Sequence, residues 1–209
     1  MLGFIKKDLF MLKNNLKSLL LACIVYFFFI LANGMDIGFI LPFMIVMLSI
    51  SSFSYDDFNN WHLYALSIPN GRRFNVLGRY LSTIFLVVVG GFISFLLSLG
   101  VNIFKNSLNV LDVFESSLTI VLILMFFIII IFPILFKLGA EKGRLALFIV
   151  SFSLFGIAVA LKSSVNINIS ADLLNFLNNY GLILLSVIVI VLLLLSYKLA
   201  VRFYLKREF

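Results

Sequence analysis

Charged groups are missing where they would matter most. The chain has 209 residues, of which 63% are hydrophobic and 12% charged, and its mean hydropathy is +1.20. Six long apolar runs account for most of it, and their interiors hold no Asp, Glu, Lys, Arg or His. Proton pumps and ion pathways place such groups at mid-membrane despite the cost of burying them. No symmetric pair of Gly/Pro interruptions marks the broken helices that coordinate ions. These absences argue against an ion-driven transporter.

Histidine and cysteine occur once each, at His62 and Cys23. One thiol makes no intrachain disulfide. With no His/Cys/Asp cluster at ligand spacing, there is neither a zinc site nor a nucleophile–base pair. The phosphate-cradling loop G-x-x-x-x-G-K-[ST] is absent, so the chain is expected to be no enzyme and to bind no cofactor itself. Any work it does must draw its energy from a partner. Residues 1–17 are too polar for a cleavable signal peptide, and no small-residue cleavage site follows the first apolar run.

What is present is a strong asymmetry of positive charge. Of the 16 Lys and Arg, all but Lys105 and Lys162 fall in alternate gaps between the apolar runs. Short basic segments stay in the cytoplasm during membrane insertion. Span number and orientation follow together: an all-α bundle of six membrane helices, with both termini inside, in the cell membrane. The spans fall at about residues 18–33, 37–53, 79–103, 117–136, 145–161 and 180–201, within a single membrane domain covering 1–209. Each crossing needs ~20 residues for ~30 Å of hydrocarbon. The net charge of +7 is mostly charge on the inner face, suited to anionic lipid rather than nucleic acid.

Several local readings follow. In residues 1–17, Leu2, Ile5, Leu9, Leu12 and Leu16 recur at helical spacing beside Lys6, Lys13 and Lys17. This suits an amphipathic helix in the inner headgroup region with snorkelling lysines; a plain extension of the first span is the alternative. Asn33-Gly34 makes a tight outer hairpin. Ser170 caps a short surface helix before the sixth span. Gly90, Ser94 and Ser98, and likewise Gly156 and Ala160, form stripes that let helices approach closely. The fourth span, with Phe126, Phe127 and a run of Ile, has no polar face and is expected to face lipid.

The most specific segment lies at 54–78, between spans two and three. It contains Tyr55, Asp56, Asp57, Phe58, Trp61, Tyr64, Leu66, Pro69 and Arg72. Asp56 or Asp57 can open a helix, where a negative charge suits the N-terminal dipole. Pro69 and Asn70-Gly71 end it, and Arg72-Arg73 mark the return to the membrane. Two readings stay open on pattern alone. The aromatic helix is an interfacial anchor, or it docks into a groove on a cytoplasmic partner.

The run Phe53-x-Tyr55-Asp56-Asp57-x-x-x-Trp61-x-x-Tyr64-x-x-Ser67-x-Pro69-x-x-Arg72 resembles the membrane subunits of ABC-2 type exporters. The similarity is greatest to the small six-span subgroup that includes phenol-soluble modulin exporters. Ile68 departs from the Leu that usually precedes the Pro. The resemblance implies a permease powered by two copies of a separate ATPase subunit, which carries the ATP and Mg²⁺. It implies a second permease copy, identical or related. It also makes residues 55–66 a coupling helix seated in the ATPase, with Asp57, Trp61 and Tyr64 as contacts or as locks to the membrane. Lys137, Glu141, Lys142 and Arg144 would form a second cytoplasmic contact, and residues 1–17 an interfacial connecting helix. The analogy and the uncharged spans together favour export of a hydrophobic or amphipathic peptide. The competing reading is a non-transporting immunity or scaffold protein.

Overall fold

The computed structural model describes residues 3, 6–8, 10, 21, 24–25, 40–104, 110–164 and 171–207. Among them the chain is helical with no strand. The helices are α1 (Ile40–Phe58), α2 (Trp61–Ser67), α3 (Gly71–Phe104), α4 (Val110–Ser164) and α5 (Ala171–Lys206). Four stretches are long and apolar enough to cross a membrane: Ile40–Phe58, Gly71–Ile103, Val110–Gly143 and Tyr180–Lys206. They match the second, third, fourth and sixth expected spans. The fifth, 145–161, lies within the helical end of α4. Most of the first lies outside the described residues, as do Lys13, Lys17 and Ser170. Gly3, Lys6–Asp8 and Phe10 are helical, as expected of the N-terminal segment.

Helix lengths exceed what a bilayer requires. The 34 residues of α3 span about 50 Å at 1.5 Å per residue, against a hydrocarbon core of ~30 Å. The first two turns of α3 are therefore free to form part of the basic end of the bundle. Residues 171–179 are not a separate surface helix: α5 runs unbroken from Ala171 to Lys206. Asn178, Asn179 and Gly181 are weak helix formers, but no Pro accompanies them, and one Gly alone does not end a helix.

α4 is two helical arms, 110–138 and 140–164. They meet at Gly139, whose backbone sits at φ 81, ψ 177. Only glycine occupies that region readily, because a Cβ there clashes with the chain. Leu135 lies 2.5 Å from where a Cβ on Gly143 would be, so the arms come close just beyond the joint.

The expectation that the fourth span faces lipid fails for most of its surface, although Ile123 and Phe126 are exposed. Its first arm forms the centre of the core. Leu124, Ile128, Ile131, Phe132, Leu135 and Phe136 are buried against Val46, Ile50 and Phe53 of α1, Val76, Tyr80 and Val87 of α3, and Val189, Ala200 and Tyr204 of α5. A uniformly apolar helix carries no polar stripe to mark a lipid-facing side. In a bilayer the tails are as apolar as Leu, so shape decides which surface packs inward. Here the shape is aromatic. Phe132 stacks edge-on with Phe53 (5.4 Å between centroids) and Tyr80 (5.0 Å), and Phe136 does so with Phe53 (5.0 Å) and Tyr204 (5.3 Å).

One polar chain threads this core. Pro133 has no N–H, so the carbonyl of Ile129 loses its intrahelical donor. The Ser196 hydroxyl of α5 donates to that carbonyl at 2.7 Å. With its proton so used, Ser196 Oγ accepts from the Tyr80 hydroxyl of α3, also at 2.7 Å. Elsewhere the small-residue reading of α3 holds at Gly90. A Cβ there would lie 2.5 Å from Ile45 of α1, and one on Gly91 would lie 2.3 Å from Val121 of α4. Gly156 has no neighbour at that range among the described residues, and the side chain of Ala160 lies outside them.

Candidate functional site

The basic end of the bundle brings together the two segments singled out in the sequence. Residues 55–66 are not one helix. α1 continues through Tyr55–Phe58, because the apolar run before it gives no reason to stop. Asn59 and Asn60 then break it. The Asn59 side chain donates to the Tyr55 carbonyl at 2.8 Å, and Asn60 adopts the left-handed conformation at φ 50. Asn tolerates that region because its short polar side chain bonds locally. The chain restarts as α2 and stops again at Ile68, which is extended as the residue before a Pro prefers to be. Asn70 is left-handed too (φ 56), and Gly71 opens α3. No other residue fits at 71, since a Cβ would lie 2.0 Å from the Ala65 carbonyl oxygen.

Asp56 and Asp57 therefore close a helix rather than open one, against the direction of its dipole. Tertiary partners compensate. Asp56 takes two bonds from Lys7 Nζ, at 2.6 and 2.7 Å, and an ion pair from Arg79. The other Arg79 nitrogen pairs with Asp8 at 2.9 Å and donates to Ser52 Oγ. Ser82 Oγ donates to the second Asp8 oxygen at 3.0 Å. Two cations and two carboxylates thus alternate in a neutral cluster, with the Arg79 side chain only 3% exposed. Aromatic faces complete it: Lys7 Nζ lies 4.5 Å from the centre of the Trp61 ring, and the Arg79 guanidinium 4.7 Å from that of Phe53. Burial, with the Arg79 charge adding to it, holds the Lys7 ammonium below the usual lysine range, and Asp56 and Asp8 pull the other way. Lys7 is thus turned into the protein rather than toward lipid phosphate, while Lys6 is exposed.

Asp57 points elsewhere. Its Oδ2 accepts the Ala140 N–H at 2.8 Å, capping the second arm of α4, and its Oδ1 lies 4.0 Å from Arg207. Between the α1–α2 elbow and the Gly139 joint lies a cleft of about 480 Å³, lined in part by Asp57, Phe58, His62, Glu141, Lys142 and Arg207. At its rim Phe58 is 85% exposed. Tyr55, Leu63 and Tyr64 are also exposed, and Trp61 and Tyr64 lie against each other with centroids 4.8 Å apart.

The other expected site residues are placed as follows. Lys137 is exposed over the Phe203 ring, at 5.2 Å. Pro69 is exposed. Arg72 does not line the cleft. It donates to the Leu205 carbonyl at 2.5 Å, tying the start of α3 to the end of α5, and Asn75 beside it donates to the Tyr204 hydroxyl at 3.2 Å. The side chains of Leu66 and Arg144 lie outside the described residues. Sequence reasoning missed Lys7, Asp8 and Arg79 as one unit. The available signal was Asp8, the only acid in the basic segment 1–17, which the amphipathic pattern of that segment left unused.

Among the described residues no group of His, Cys, Asp and Glu could hold a metal ion. What the arrangement offers is mechanical: an exposed aromatic elbow, fixed to the N-terminal segment by Asp56 and to α4 by Asp57. No curated protein and no solved structure matches the chain. A family model does, over residues 3–205, nearly the whole length: that of the ABC-2 family transporter proteins, to which the chain belongs as a multi-pass membrane permease subunit.

Proposed function

We propose that this permease exports a hydrophobic or amphipathic peptide from the cell, or clears it from the membrane. The driving force is a pair of cytoplasmic ATPase subunits that bind ATP and Mg²⁺. ABC-2 permeases work with such a partner. In this reading the chain spans the membrane six times with both termini inside, pairs with a second permease, and seats its α1–α2 elbow in the ATPase. It would then be kin to the small six-span exporters.

The observation that carries the reading is the exposed ledge of Tyr55, Phe58, Leu63 and Tyr64. Large apolar side chains clustered on an exposed surface mark a protein or a membrane contact; held at a fixed angle by the ion cluster beneath, this ledge suits docking to a partner. Glu141 and Lys142, exposed across the cleft, would make the second contact. The substrate class is supported by a groove of about 260 Å³ between α3 and α4, lined by Val88, Phe92, Phe95, Phe114 and other uncharged residues. The test is to purify the tagged chain gently from its native membrane. A nucleotide-binding subunit should accompany it, and ATP-dependent efflux of an amphipathic peptide from vesicles should require both. A chain that purifies without such a subunit and supports no efflux refutes the reading.

A further inference from the structure

We propose that the Gly139 joint is a hinge and that Asp57 is the positioning residue that clamps it, so that movement of the α1–α2 elbow is delivered to the arm 140–164. This rests on reading the elbow as the ATPase-docking element.

Four observations converge. The break in α4 is built into the sequence, because φ 81, ψ 177 at residue 139 is open to glycine and costly for any side chain. The first residue beyond it, Ala140, is buried and gives its N–H to Asp57 of another helix. A helix start is ordinarily capped by the side chain just before it. Here Leu138 and Gly139 have no side-chain oxygen, so the arm depends on α1 for its cap. Arg207, at the end of α5, reaches the same place: its Nη2 lies 2.6 Å from where a Cβ on Gly139 would be and 4.0 Å from Asp57. Beyond the joint, Leu145, Phe148, Ile149 and Phe152 are all more than half exposed, so these positions do not hold the arm to the bundle. Among the described residues of the arm, the buried ones lie at its root, at Ala140 and Gly143, beside the 480 Å³ cleft.

Adjacent carboxylates thus divide the labour. Asp56 fixes the elbow to the N-terminal segment and α3, and Asp57 fixes it to the arm.

The test measures the distance between spin labels at Ser54→Cys and Phe152→Cys, in a Cys23→Ser background, on the purified full-length chain in vesicles. The parent should give one narrow distance. Asp57→Ala should lose it. Asp57→Asn, whose amide oxygen still accepts from Ala140, should restore it. Gly139→Ala should give a displaced distance, since the new side chain disfavours the φ of the joint; this variant keeps the test open if Asp57→Ala inserts poorly. An unchanged distance in Asp57→Ala or in Gly139→Ala overturns the proposal, as does an Asp57→Asn protein that behaves like Asp57→Ala. With the accompanying ATPase present, ATP should shift the parent distance. Asp57→Ala should hydrolyse ATP with no shift. A parent distance indifferent to ATP refutes the hinge. If no ATPase accompanies the chain, the transport reading fails on its own, and the distances in the chain alone still decide whether Asp57 clamps the joint.

Discussion

The Ser196 hydroxyl donates to the Ile129 carbonyl, the one acceptor in α4 that Pro133 leaves without its intrahelical donor. Proline is tolerated in membrane helices when a neighbour satisfies the freed group, and here that neighbour is α5, with Tyr80 of α3 bonded to the same hydroxyl. Replacing Ser196 by Ala strands both the carbonyl and the tyrosine hydroxyl. Unfolding in mixed detergent micelles should show a loss of about 1–3 kcal/mol. Restoring the donor in Pro133→Ala should shrink the effect of Ser196→Ala, and a double-mutant cycle measures that coupling.

The buried ion cluster predicts a larger effect. Arg79→Ala removes the partner of both Asp8 and Asp56 and leaves two carboxylates opposite one lysine. Breaking a buried pair from one side costs about 3–5 kcal/mol. The same variant should open the N-terminal segment to protease while α3 to α5 stay protected. Equal protection of residues 6–8 in the variant and the parent would show that the cluster does not hold that segment.

Gly71→Ala should fail for a different reason. The added methyl meets the Ala65 carbonyl at 2.0 Å, and the obstacle is backbone, not a side chain that can swing away. The expected outcome is separation of α2 from the start of α3, read as increased thiol labelling of Ala65→Cys, which is buried in the parent.

Phe58→Ala separates docking from stability. The ring is 85% exposed, so its loss should change stability by no more than about 0.5 kcal/mol. Recovery of the ATPase with the tagged chain should fall steeply. Full recovery would move the docking surface away from the elbow.

Several elements were legible because membrane helices advertise themselves by length and composition. The runs that became α1, α3, the first arm of α4 and α5 follow from apolar stretches and the punctuation at Pro69-Asn70-Gly71. The sequence also pointed to 54–78 and 137–144, which the fold sets on either side of one cleft. What it could not show were relations between distant residues. Asp56 and Asp57 looked like helix openers because a local N-cap rule applies to them. They close a helix instead, since Lys7, Arg79 and the Ala140 N–H outweigh the local dipole. The inward-facing fourth span was misread because hydrophobicity does not distinguish lipid from protein as a neighbour. Pro133 was visible, but nothing near it in sequence named Ser196 as the group that would answer it.

The buried quartet also orders biogenesis. Lys7 and Asp8 leave the ribosome first, and their partners Asp56 and Arg79 emerge only after the first two expected spans have been made. Until then Asp8 has only Lys7, its neighbour in sequence, as a partner from the quartet. The quartet therefore closes only after Arg79, its last member, has been made, and it then joins the N-terminal segment to α1 and α3 in one contact.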